Sequence, residues 1–170
     1  MEEKMDDLTF FTNEPNKTLA ERFSKILANH TQYLDVLVGY FRASGFYEVY
    51  EALENTEKIR ILIGIETDSD VFKMISYAEN NDALFLSNKD VKNIVNSQII
   101  NEMDKSEDNL KVENGIRKFI QLIQERRLEI RVYPKDKIHA KVYIMRKDIE
   151  KSDDYGKVIT GSSNFSYSGL

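Results

Sequence analysis

Two short apolar runs place the tightest limit on what this chain can fold into. The first, Tyr33 to Phe41, contains Val36-Leu37-Val38, and the second is Ile59-Arg60-Ile61-Leu62-Ile63-Gly64-Ile65. Runs of this length, rich in branched aliphatics and bounded by turn formers, read as buried strands. Ser44-Gly45 breaks the first run and starts a short helix through Leu53, with Phe46, Val49, Tyr50 and Leu53 turned inward. Strand, helix and strand in that order suggest a sheet covered by helices.

The flanking sequence extends this pattern. Thr18-Leu19-Ala20-Glu21 is a capping box, in which threonine and glutamate side chains satisfy free helix donors reciprocally. It opens a helix to about Asn29, with Leu19, Phe23, Ile26 and Leu27 on one face. Beyond the second strand, Asp70 to Ala78 is predicted helical. Ser87 to Asp90 is a second capping box, opening a helix to about Met103 on which Val91, Ile94, Val95 and Ile99 recur at helical spacing. Lys105 to Asn109 reads as a polar linker, and Val112 to Arg127 as a further helix with Ile116, Phe119, Ile120 and Ile123 buried. Three strands then follow in succession, Leu128 to Tyr133, Ile138 to Met145 and Lys157 to Thr160, the first two separated by a Pro134-Lys135-Asp136-Lys137 turn. The expected class is α/β, a mixed sheet flanked by helices, forming one domain over residues 1–170.

The middle strand of the three carries the chemistry. In Ile138-His139-Ala140-Lys141-Val142-Tyr143-Ile144 the apolar and polar residues alternate. Side chains two apart on a strand share a face, so His139, Lys141 and Tyr143 point the same way, and Ile138, Ala140, Val142 and Ile144 are expected in the core. A histidine can attack phosphorus or carry a proton near neutral pH. A lysine beside it can hold a phosphate oxygen and stabilise transition-state charge. Such a pair on a surface strand is commonplace, and alone it says little. The next strand exits into Gly161-Ser162-Ser163-Asn164. Glycine permits a tight exit, and the hydroxyls and the amide can bind phosphate oxygens or orient the histidine. A plain helix-capping turn has the same composition. The two signals in this order, on successive strands, are more specific than either one.

Together, His139-x-Lys141 and Gly161-Ser162-x-Asn164 resemble the HKD motif of the phospholipase D superfamily, over about the last third of the chain. The resemblance implies that His139 is the nucleophile that forms a phosphohistidine, or the acid that protonates the leaving group. It implies that Lys141 and Asn164 bind phosphate with support from Ser162, and that no metal or other cofactor is needed. Gly161, Ser163 and Tyr143 fall in the same phosphate-binding or supporting set. The family's usual aspartate, five residues after the lysine, is replaced by Arg146, with Asp148 two residues out of register. The loop from Lys147 to Gly156 is longer than usual, and a hairpin tolerates such an insertion. The ending Gly-Ser-Ser-Asn-Phe-Ser-Tyr-Ser-Gly-Leu resembles phospholipase D-like modules at the N-termini of bacterial helicases. Ser166 to Leu170 is then a helix start, with a longer polypeptide continuing beyond Leu170. A complete family site needs two histidines facing each other across a two-fold axis, so a single motif implies a homodimer.

Composition limits the alternatives. The chain has no cysteine, which excludes disulfides, thiolate metal sites and a cysteine nucleophile. Its only other histidine, His30, falls at a predicted helix end and is expected to be structural. The net charge of -5 would disfavour nucleic acid if it were spread evenly. From Arg126 to Lys147, however, eight basic residues stand against Glu129 and Asp136, and this segment contains the candidate motif. No apolar run approaches the roughly 20 residues needed to cross a bilayer, and the acidic start, Met1 to Asp7, is no signal peptide. The expectation is a cytoplasmic, metal-independent phosphodiesterase acting on nucleic acid, the accessory module of a helicase or restriction-type enzyme. The alternative is a catalytically silent module that binds a phosphate backbone or a partner. Phospholipid cleavage ranks third, since the sequence offers no amphipathic helix with a basic face.

Overall fold

The structure, a computed structural model, describes residues 18–80, 106–133, 137–147 and 156–170. Its elements are α1 (Leu19–His30), β1 (Tyr33–Phe41), α2 (Ala43–Val49) with a 3-10 turn (Tyr50–Leu53), β2 (Lys58–Thr67) and α3 (Ser69–Asn80). After these come α4 (Ser106–Gln124), β3 (Leu128–Val132), β4 (Lys141–Arg146) and β5 (Gly156–Thr160). The predicted helix from Ser87 to Met103 and the turn at Pro134 lie outside the described residues.

The α/β class holds. One five-stranded mixed sheet runs in the order β3-β2-β1-β4-β5, with β1, β2 and β3 parallel and β4 and β5 antiparallel to their neighbours. The capping box at α1 is complete, since the Glu21 amide donates to Thr18 Oγ1 and the Thr18 amide donates back to the Glu21 carboxylate. Asp68 accepts from the Ala43 amide at 3.0 Å and from the Val71 amide at 3.1 Å, tying the first turns of α2 and α3 to one side chain. Burial raises its carboxyl above the ordinary aspartate value.

The core lies between the helices and one face of the sheet. Leu34, Val36 and Val38 of β1 and Ile59, Ile61 and Ile63 of β2 pack there with Phe23 and Leu27 of α1, Phe46 of α2, and Ile116 and Phe119 of α4. Each such side chain contributes about 1.5–3 kcal/mol when fully buried. Among the described residues no helix covers the opposite face. Leu37, Leu62, Val142 and Ile144 line an open hollow of about 630 Å³ there, ringed by charged residues.

Two expectations need correction. Residues 106–109 belong to α4 and not to a linker; serine and acidic residues are the types that open helices. The segment from Ser166 to Leu170 forms one turn, closed by Gly169 and Leu170 amides donating to the Ser166 carbonyl, and is compatible with the expected helix start. The Leu170 carbonyl then accepts from the Ala20 amide at 2.7 Å, satisfying a free donor in the first turn of α1. The second correction concerns β4, which begins at Lys141 rather than Ile138 and presents the face opposite to the one expected. Lys141, Tyr143 and Met145 are buried toward the helices, while Val142 and Ile144 face the open side. Both faces of a central strand are apolar here, so alternation alone does not select the inward one.

β3 and β4 are consecutive in sequence, yet β2 and β1 separate them in the sheet. The chain therefore passes across the C-terminal ends of the parallel strands. The Tyr133 amide donates to the Ile63 carbonyl at 2.8 Å on one side of this crossing, and the Ile138 amide donates to the Gly64 carbonyl at 3.1 Å on the other. Gly64 makes the approach possible, because a Cβ there would lie 2.1 Å from the Ile138 carbonyl oxygen.

Candidate functional site

The crossing delivers His139 to the point where the sheet changes from parallel to antiparallel pairing. β1 pairs with β2 on one side and β4 on the other, and Val38 lies opposite Lys141. Crevices outside the carboxyl ends of parallel strands, at such a reversal, are where open α/β sheets bind ligands.

His139 is exposed and Lys141 is buried, with only 5% of its surface accessible. The Lys141 ammonium lies 2.8 Å from His139 Nδ1 and 3.0 Å from Nε2, and donates to the His139 carbonyl at 3.1 Å. The ammonium thus sits against the imidazole, in reach of both ring nitrogens and of the adjoining carbonyl. Among the described residues Lys141 has no carboxylate partner. The other buried lysine among the described residues, Lys118, is paired with Glu54. A buried cation without a counter-charge is costly, and an anion arriving beside it removes that cost.

The Gly161–Asn164 segment reaches the same place. The Gly161 amide donates to the Lys141 carbonyl at 3.3 Å. Asn164 Oδ1 accepts from the Tyr40 amide at 3.1 Å, and Phe165 bridges to Phe41 just beyond the point where β4 leaves β1. This contact fixes which way the Asn164 amide faces and engages only its oxygen. Gly169 must be glycine for the following turn to close, since a Cβ there would lie 2.3 Å from the Asn164 carbonyl oxygen.

Tyr143 is set apart from the reacting groups. It is 1% exposed, packs edge-on against Phe23 at 5.2 Å and lies 6.2 Å from Phe165. Its hydroxyl donates to the Ser163 carbonyl at 2.8 Å, and burial pushes its phenol well above the ordinary tyrosine value. Its place is under the Ser163–Asn164 turn, anchoring that turn to the core. Gly161 and Ser162 are exposed, and Gly161 has open space where a Cβ would stand.

Tyr40 escaped the sequence reading. Its ring meets the His139 ring edge-on at 6.2 Å, and its amide holds Asn164, so it touches both halves of the motif. The available signal was an aromatic residue directly after Gly39 at the end of a buried parallel strand. The basic segment, in turn, is dispersed. Arg127 donates to the carbonyls of Leu53, Glu54 and Thr56, Arg131 pairs with Glu129, and Arg146 pairs with Asp35 at 3.2 Å while lying over the Tyr33 ring. Of that segment, Lys141 is the cation seated against His139. His30 is the last residue of α1, as expected, and its side chain lies outside those described.

Among the described residues no cluster of three or more histidine, cysteine or acidic residues could hold a metal ion, and no helix is long and apolar enough to cross a membrane. Compared with known proteins, the chain matches no protein-family model and no curated protein.

Proposed function

We propose that this chain is a phospholipase D-like domain that hydrolyses phosphodiester bonds in nucleic acid without a metal, as the accessory module of a helicase or restriction-type enzyme. The observation that carries this reading is the buried Lys141 ammonium, which lacks a carboxylate partner and lies within 3.0 Å of both ring nitrogens of exposed His139. In the proposed reaction a phosphate seats its non-bridging oxygens on Lys141 and the amide nitrogen of Asn164. An unprotonated ring nitrogen of His139 attacks phosphorus and the bond to the leaving oxygen breaks. That oxygen takes a proton from the second histidine of the site, His139 of another copy in a homodimer. Water then attacks the phosphohistidine, and its proton passes back to the histidine that acted as acid. Ser162 and Ser163 lie on the segment that presents Asn164.

The test is cleavage of DNA and RNA in EDTA by the wild type and by His139→Ala. The expected result is a loss on the order of a thousandfold or more in the variant; equal rates would remove the catalytic claim. A second reading needs the same lysine and no bond breaking. The single His139-x-Lys141 motif in the sequence favours it, since the paired site that the resemblance implies needs a second such motif. In that case the module holds a phosphate backbone, and salt-dependent binding survives His139→Ala but falls with Lys141→Ala.

A further inference from the structure

A cavity of about 400 Å³ adjoins the site, walled by Tyr40, Arg42, Ser44 and Asn164 and by the turn Ser166–Ser168. Two of its walls are already committed to the phosphate position, because Tyr40 meets the His139 ring and its amide holds Asn164. The cavity is therefore the space next in line from a phosphate on Lys141, and its size falls within the range of small-ligand sites. Its chemistry is mixed in a specific way. Tyr167 is 67% exposed at the rim, while its amide donates to Ser44 Oγ at 3.2 Å, so a fixed backbone holds an uncovered aromatic ring. Ser44, Ser166 and Ser168 also line it, and Arg42 stands in its wall, its guanidinium paired at 3.3 Å with an exposed Glu66. Surface ion pairs of that kind contribute little and yield to a stronger anion.

We propose that this cavity is a nucleotide subsite, which takes the sugar and base adjoining the scissile phosphate of a single-stranded nucleic acid, with the base stacked on Tyr167. The inference rests on the proposed phosphodiesterase reading and adds the substrate class. Lipid is disfavoured as occupant, since an acyl chain needs continuous apolar walls and here the two tyrosine rings are interrupted by serines, an amide and a guanidinium. A duplex is disfavoured because its bases are already stacked on one another, whereas single strands offer free base faces to aromatic side chains. Arg42 would meet the neighbouring phosphate in place of Glu66.

The experiment measures binding by fluorescence anisotropy in EDTA, using the full chain and its Tyr167→Ala and Tyr167→Phe variants. The probes are a labelled single-stranded oligonucleotide, an abasic strand of the same length and a duplex. Base–aromatic stacking of about 1–3 kcal/mol corresponds to a loss of roughly 5- to 150-fold for Tyr167→Ala on the base-bearing strand. Tyr167→Phe should stay within about twofold of wild type, and the abasic strand should bind all three proteins alike. Equal effects of Tyr167→Ala on base-bearing and abasic strands, or none on either, overturn the subsite. So does a duplex bound as tightly as the single strand by wild type and lost to the same degree in Tyr167→Ala. The cleavage assay separates the two claims. If His139-dependent cleavage occurs while Tyr167→Ala binds every probe as wild type does, the subsite fails and the active site stands. If no cleavage occurs yet the base-dependent loss persists, the subsite stands and the catalytic reading fails. Absence of binding to every probe overturns both.

Discussion

Lys141 and Arg146 occupy the two ends of β4, and their surroundings differ in one respect that decides what each can do. Arg146 faces the open side of the sheet, donates to Asp35 at 3.2 Å and lies over the Tyr33 ring at 5.0 Å. Asp35 is also bound by Arg60, so charge at that end is balanced within the protein. Lys141 faces the helical side, is more deeply buried, and has an imidazole and a carbonyl where a carboxylate would be expected. One end of the strand is a completed ion-pair cluster that holds neighbouring strands together. The other holds a buried cation with no carboxylate partner among the described residues. Position 146, where the HKD pattern that the chain resembles has an aspartate, lies on the other face and at the far end of the strand from His139.

The sharpest way to break this comparison is to remove each cation in turn. Lys141→Met should lower phosphodiester cleavage by about a hundredfold to a thousandfold, the effect of losing one preorganised charge donor. It should leave the denaturation midpoint unchanged or raised, since it also removes an unpaired buried charge. Arg146→Met should do the reverse. Cleavage should stay within about twofold, and stability should fall by about 0.5–1 kcal/mol, as for a half-exposed ion pair with a cation–π contact. Cleavage assays and urea denaturation on both variants read this directly. If Lys141→Met is strongly destabilising, Lys141 is a structural residue and the two ends are alike.

A second test perturbs the position of the site without touching its chemistry. A Cβ at Gly64 would stand 2.1 Å from the Ile138 carbonyl oxygen, a backbone atom that can move only by shifting the crossing segment. Gly64→Ala should therefore displace His139 by a fraction of an ångström or more. A misplacement of about 1 Å costs on the order of a hundredfold in rate, and the overpacking itself costs about 1–3 kcal/mol. The Asp35 cluster lies toward the other end of the sheet, so cross-strand contacts there, followed by nuclear magnetic resonance, should be unchanged. Full activity in Gly64→Ala would show that the crossing does not position the histidine.

The fold was legible where the signal is local. Thr18 and Glu21 announced α1, and the two buried runs gave β1 to the residue and β2 to within two residues of either end. The candidate residues His139, Lys141 and Asn164 stood out as types in a given order. Their setting was not. Nothing near Pro134 says that β4 will pair with β1 instead of β3, since pairing partners are chosen by packing over the whole sheet. The inward face of β4 was misread for the same reason. Tyr143 and Met145 are drawn to the helical side, with Phe23 and Phe165 packed around Tyr143, and those partners lie far away in sequence. Tyr40 becomes visible only once Asn164 has been brought beside it.

The smallest effect concerns the completed cluster and its dependence on pH. The Arg60 guanidinium, hydrogen-bonded to Asp35, holds its carboxyl below the ordinary aspartate value, with Arg146 acting in the same direction. A carboxyl depressed in the native state contributes stability that is present above its unfolded value of about 3.9. That contribution is lost as pH falls through the native value, because protonation then removes the charge that both arginines face. Asp35→Asn abolishes the contribution at every pH and leaves two guanidiniums near each other without an anion. Urea denaturation of wild type and Asp35→Asn should differ by about 1 kcal/mol or less at neutral pH, given the half-exposed position. The difference should shrink toward zero as pH falls below about 4. Cleavage by Asp35→Asn at neutral pH should match wild type, since the cluster and the site occupy opposite faces. A gap that stays constant down to acid pH would mean that Asp35 holds the strands through its shape and not its charge, and the contrast between the two ends of β4 would lose its electrostatic basis.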